Sequence, residues 1–239
     1  MKKKGILLTT LALAAIIGTT TACSSDKGGA QQNPPATKEA QQSFKQWDKP
    51  PAMQIDENKT YIAHVETNKG KFSIELFAKD APKTVNNFVF LSREKFYDGI
   101  VFHRIIKDFM IQTGDPLAKG SVQALKDNPQ IGSGSPGYRF EDELAKRHTY
   151  EKGIIAMANS GPNTNGSQFF IVNGKSPSVD YLNKKAPNYT TFGKIVDGMD
   201  TGMDTIDKIS SIPVSPSMSG EPSFPEEDVF IKTITIEEK

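Results

Sequence analysis

A chain of 239 residues, 36% hydrophobic and 24% charged, has the makeup of one globular domain with appendages rather than of two domains. Its 29 Lys and Arg against 28 Asp and Glu leave a formal charge of +1, without the global field that draws a protein to nucleic acid, so no nucleic-acid partner is expected. The single cysteine, Cys23, excludes an internal disulfide and a multi-cysteine metal site, and three histidines are the other soft ligands; neither metal nor cofactor is expected.

The chain opens on Lys2, Lys3 and Lys4, an apolar run from Gly5 to Gly18, and small residues from Thr19 to Ala22. That is the layout of a cleaved secretion signal, and the apolar run is shorter than the roughly 20 residues a permanent membrane span needs. Small residues followed by one cysteine resemble the bacterial lipoprotein signal, with residues 1–22 removed and Cys23 lipidated; Thr20 stands where such signals usually carry Leu, Val or Ile. Removal takes away three lysines and no acids, so the mature charge is +1 − 3 = −2. Residues 23–58 are rich in Gln, Pro, Ala, Ser and Lys and read as a lipidated N-terminus and tether. Within them, Lys38 to Trp47 reads either as a short helix between Pro35 and Pro50 or as unstructured, with Phe44 and Trp47 able to dock on the domain that follows.

Residues 59–239 carry the domain. Tyr61–Thr67 and Lys71–Phe77 alternate apolar and polar residues across the Lys69-Gly70 turn and predict a hairpin. Asp80 and Pro82 stand at cap and first-turn positions before Val85, Phe88, Val89 and Leu91, which predicts a helix of about three turns. Further strands are expected at Val101–Ile106, Phe109–Gln112, Gly153–Ala158, Gln168–Val172, Thr191–Val196 and Val229–Glu237, with a second helix at Met203–Ile209. Many strands, few helices and no βαβ rhythm predict an antiparallel barrel or sandwich.

Alternation along Phe102–Ile106 places Phe102, Arg104 and Ile106 on one face and His103 and Ile105 on the other. A guanidinium among apolar neighbours needs a partner, and Gln112 or Asn159 are the candidates. The loop Ala158–Ser167, crowded with small and amide residues between two apolar strands, is suited to presenting polar groups to an extended peptide. A hydrolase built on His103 and a serine is disfavoured, because alternation turns His103 away from Arg104 and no GxSxG elbow exists. His64 and His148 read as strand and loop residues.

Three segments, FHRIIKDFMIQTGD (Phe102–Asp115), RFEDE (Arg139–Glu143) and MANSGPNTNGSQFFI (Met157–Ile171), resemble the signature segments of cyclophilins in order and spacing. The resemblance covers about Thr60–Lys239 and implies a closed eight-stranded antiparallel barrel capped by two helices, acting as a cofactor-free peptidyl-prolyl cis-trans isomerase. Carried over by residue, it implies a catalytic set of Arg104, Phe109 and Gln112. It also implies a substrate-binding surface of Met110, Gly132, Ala158, Asn159, Ser160, Gln168, Phe170, Tyr181, Leu182 and Tyr189. Tyr181 replaces a tryptophan common in the family and Tyr189 a histidine, which implies weaker cyclosporin binding. The rival reading is a module that holds proline-containing segments without turnover. Pro116–Ile131 and Ser176–Thr190 look longer or more divergent than in compact members and are expected to reshape the rim. The expected partners are proline-containing segments of secreted or surface proteins, met at the extracytoplasmic face of a membrane.

Overall fold

The computed structural model describes residues 44–196 and 202–239. The secretion signal, Cys23 and the tether up to residue 43 lie outside the described residues. In chain order the elements are β1 (Tyr61–Thr67), β2 (Gly70–Leu76), α1 (Pro82–Arg93), β3 (Arg104–Ile106), β4 (Met110–Thr113), α2 (Val122–Leu125) and β5 (Ile154–Met157). They continue with β6 (Phe169–Val172), α3 (Pro177–Lys185), β7 (Thr191–Val196), α4 (Gly202–Ser210), β8 (Val214–Pro216), β9 (Pro222–Pro225) and β10 (Ile231–Glu238).

Eight strands form one antiparallel sheet in the order β10-β1-β2-β7-β5-β6-β4-β3, and β8 pairs with β9 in a separate hairpin. Alternation sets which face of the first hairpin is buried. Tyr61, Ala63 and Val65 on β1 face Leu76, Ile74 and Phe72 on β2 in register, and all are buried in the main core. α1 contributes Val85, Phe88, Val89 and Leu91, and α4 contributes Ile206 and Ile209. Rings of Phe88, Tyr97, Phe169 and Phe192 meet tilted or edge-on at 5.3 to 6.2 Å, the arrangement the aromatic quadrupole favours.

The expected closed barrel is not found: the sheet is a curled half-barrel. Its outer strands, β10 and β3, are not laddered together. The run before β3 reaches the start of β10, through an isolated bridge from Val101 to Phe230 and through backbone bonds from the Gly99 N–H to the Ile231 carbonyl at 2.7 Å, from the Ile231 N–H to the Ile100 carbonyl at 2.9 Å and from the Phe102 N–H to the Val229 carbonyl at 2.9 Å. β3 is shortened to three residues because the alternation breaks at Phe102, which turns into the main core instead of sharing a face with Arg104. Besides α1 and α4, which match the two expected helices, the short α2 and α3 arise in the two segments read as divergent. No helix among the described residues is long and apolar enough to cross a membrane.

Asp80 does not cap α1. Ala81 occupies that position without a side-chain bond, and Asp80 instead meets His148 Nε2 at 2.9 Å. Pro82 has no N–H to satisfy; the next two, of Lys83 and Thr84, donate to the Glu143 carboxylate at 3.1 and 2.8 Å, as does the Thr84 hydroxyl at 2.8 Å. Residues 44–58, read as the end of a tether, pack onto the domain. The Trp47 ring lies edge-on to Phe90 at 5.1 Å, the Trp47 backbone N–H donates to the Pro136 carbonyl, and Ile55 joins the main core. Residues 44–47 are not helical.

Candidate active site

The sheet has a second apolar face. Ile105, Ile111, Phe169 and Ile171 point into the main core. Their neighbours Ile106, Met110, Phe170 and Val172 point outward, into a cluster with Ala156, Val179 and Leu182. Strand register then lines up functional side chains: Arg104 opposes Gln112, Gln112 opposes Phe170, and Phe170 opposes Ala156. A period of two across three ladders therefore sets a cation, an amide and an aromatic ring in one row.

Along this row lies a cavity of about 190 Å³ lined by Arg104, Phe109, Met110, Gln112, Ala158, Asn159, Phe170, Leu182 and Tyr189. α3 supplies Leu182. The Tyr189 ring stands edge-on to Phe170 at 5.5 Å, and its backbone is pinned from both sides by the Tyr150 hydroxyl, which donates to the Tyr189 carbonyl and accepts from its N–H. A smaller polar cavity of about 70 Å³ adjoins, lined by Gly132, Ala158, Asn159, Ser160 and Gln168. Gln112 borders both and donates to Gln168 Oε1 at 3.0 Å, while Gln168 donates to the Gly132 and Gly134 carbonyls at 3.0 Å. Of the residues carried over by resemblance, Tyr181 stands apart. It is 60% exposed and lines none of these cavities, because one step along α3 from Leu182 turns it to solvent.

Neither Gln112 nor Asn159 holds Arg104. Gln112 is engaged with Gln168, and Asn159 donates to the Asn188 carbonyl at 3.2 Å. Instead Arg104 Nε and Nη2 form a two-pronged ion pair with Glu221 at 2.6 and 2.8 Å, and Nη1 is left toward Met110 Sδ at 3.8 Å. The Arg104 bond holds the Glu221 carboxyl below its usual range. A third cavity, of about 420 Å³, lies on this side of Arg104, bordered by Glu221, His103, Leu125, Ile131 and Phe224.

Glu221 escaped the sequence reading because it lies 117 residues from Arg104 in an unremarkable Ser/Pro/Gly-rich stretch. Asp115 was missed too, although it closes the first signature segment. Fully buried, it accepts from the N–H groups of Leu117 and Gly132 and so fixes the loop on which Gln168 leans. Burial pushes its carboxyl up, and those backbone donors oppose the rise. Glycine is required at 132, where φ is +92°. Among the described residues no group of acidic, histidine or cysteine side chains is placed to hold a metal.

Residues 62–236 match the family model of the cyclophilin type peptidyl-prolyl cis-trans isomerases. Peptidyl-prolyl cis-trans isomerase-like 3 of Gallus gallus is 43% identical over 175 residues, 72% of this chain and 93% of the relative. A putative peptidyl-prolyl cis-trans isomerase of Staphylococcus aureus is 39% identical over 196 residues, 73% of this chain and 90% of the relative. Among solved structures, a cyclophilin type peptidyl-prolyl cis-trans isomerase of Cryptosporidium parvum matches with a TM-score of 0.59 at 32% identity, covering 74% of this chain and 98% of that one. The same protein in the presence of the dipeptide Ala-Pro matches with a TM-score of 0.58.

Proposed function

The chain belongs to the cyclophilin-type peptidyl-prolyl cis-trans isomerases, and from that premise we propose that Arg104 is the residue that lowers the barrier to rotation about a bound X-Pro bond. Resonance sets that barrier at about 18–20 kcal/mol, and both proline isomers are populated. As the amide twists, the prolyl nitrogen recovers a lone pair and becomes a hydrogen-bond acceptor. A donor at Arg104 Nη1 then binds the twisted state better than either planar one, which is what accelerates a reaction. A charge-assisted bond of about 3 kcal/mol corresponds to about two decades in rate. Alignment of the peptide by Gln112, Asn159, Ser160 and Gln168, with the proline ring against Phe109, Met110, Phe170 and Leu182, supplies the remainder. No bond breaks and no proton moves.

The observation that supports this reading is that the guanidinium and the apolar wall border one cavity. Arg104→Ala should lower kcat and kcat/KM together by about two decades on a proline tetrapeptide, with peptide affinity changing far less. Arg104→Lys should recover only part, since an ammonium lacks the fork that Glu221 holds. A folded alanine variant, checked by thermal melting, that isomerises at the wild-type rate would overturn the assignment.

We further propose that the enzyme is a lipoprotein, anchored through Cys23 at the extracytoplasmic face of a membrane, and that its substrates are X-Pro bonds of exported proteins still folding there. The signal-like residues 1–22 and the position of Cys23 support this. Cyclosporin is proposed to bind weakly, because at position 181, exposed beside Leu182 and outside the cavities, no indole extends the rim toward a ligand larger than the pocket.

A further inference from the structure

Arg104 and Gln112 both border the 190 Å³ cavity and the 420 Å³ cavity, so their side chains stand between the two. Met110 and Phe170 line only the first; Glu221 lines only the second. The carboxylate therefore grips the guanidinium from the side away from the apolar wall and does not fill the space in front of it. Nε and Nη2 are taken at 2.6 and 2.8 Å, and Nη1 faces Met110 Sδ, a weak acceptor that a stronger one would displace. Because the guanidinium is planar, fixing two of its nitrogens fixes the direction of the third.

Glu221 is itself held. It closes the turn between β8 and β9, where its carbonyl accepts from the Ser217 N–H at 2.8 Å and Gly220 supplies a φ of +84°. The hairpin is seated by Phe224, buried with Val101, Val122 and Leu125. Arg104 and Glu221 side chains are 34% and 36% exposed, so as a plain surface ion pair they would contribute little to stability. Their two-pronged geometry matters instead for orientation.

We propose that Glu221 is a positioning residue for isomerisation: it holds Arg104 through Nε and Nη2 so that Nη1 is directed at the prolyl nitrogen. The proposal rests on the catalytic reading of Arg104 given above. Without the carboxylate, the arginine samples rotamers in which no N–H reaches the twisted amide, while the pocket that binds the peptide is intact. Loss should thus appear in kcat and not in KM.

The test is a double-mutant cycle on the full chain, reading kcat and KM for a proline tetrapeptide alongside thermal melting. E221A is expected to lower kcat about tenfold with KM within about twofold of wild type, and E221D, which keeps the fork one methylene shorter, to recover part of the loss. In the R104A background, E221A should cause no further loss, because there is nothing left to position. If R104A is impaired while E221A retains full kcat, or if E221A lowers kcat equally with and without Arg104, the positioning role is wrong and the Arg104 assignment stands. If R104A itself is unimpaired, the Arg104 reading fails, and this inference with it.

Discussion

His103 and Arg104 are neighbours in the chain and opposites in environment. Arg104 reaches a carboxylate. His103 is buried, and neither ring nitrogen has a hydrogen-bond partner among the described residues. Burial foremost, and the adjacent Arg104 cation second, push the imidazole down to about 4 from an ordinary 6.5, against a weak opposing pull from the nearby Val101 backbone, whose geometry falls short of a hydrogen bond. The folded protein therefore keeps His103 neutral through mildly acid solution, whereas the unfolded chain begins to take up a proton below 6.5. Across the window from 6.5 down to about 4, the unfolded state binds more protons and stability falls, by about 3 kcal/mol once the lower end is passed. His103→Leu, similar in bulk and without orphaned nitrogens, should remove this loss. Urea midpoints at pH 7 and pH 4.5 would show it: the variant within about 1 kcal/mol of wild type at pH 7, and more stable by about 2 kcal/mol at pH 4.5. An equal response of both proteins to acid would mean that His103 is solvated or paired in solution.

α1 shows how an element begins when its own sequence supplies no cap. Glu143, sixty residues away, accepts the first two free N–H groups of the helix, and its own N–H is fixed by the Thr190 hydroxyl at 2.8 Å. Glu143→Ala should cost about 1–2 kcal/mol, the range of a lost N-cap, and lower the melting temperature by about 4 °C. Glu141→Ala, which removes only an exposed pair with Lys83, should move it by less than about 1 °C. The pattern of what the sequence discloses follows the same division. β1 has the predicted bounds because local alternation determines them, and β7 because a strand-like run ends at turn-forming residues on both sides. The row of Arg104, Gln112 and Phe170 was within reach because each strand's alternation is local and signature segments supplied the strand partners. Glu143 as a cap and Glu221 as a partner depend on tertiary neighbours 59 or more residues distant, and no period or propensity in either stretch points across that gap. The outward turn of Tyr181 was hidden for a related reason: a matching position in a motif does not say which side of a helix faces the cavity.

At the level of the full chain, the boundary between fold and appendage lies earlier than composition implies. Trp47 against Phe90 and Phe96, Ile55 in the core, and the Asn86 side chain bonded to the Gln54 N–H and the Ala52 carbonyl carry the packed unit back at least to Trp47. The polar, proline-rich makeup of residues 44–58 hid this, since one tryptophan and one isoleucine suffice to dock a segment that cannot build a core alone. Cys23 lies outside the described residues, and the proposed anchor there would set location rather than fold. Removal of residues 1–22 would leave a formal charge of +1 − 3 = −2, so electrostatic attraction to anionic lipid would be no substitute for an anchor, and one acyl chain gives only marginal attachment where two or more hold stably. If Cys23 is the lipidated N-terminus, mass spectrometry of the purified mature protein should find a peptide that begins at Cys23 and carries acyl chains. Cys23→Ser should then leave the membrane fraction while keeping the wild-type melting temperature and isomerase rate. An intact residue 1–22 segment, or an unmodified Cys23 in freely released protein, would refute the anchor and leave the isomerase assignment untouched.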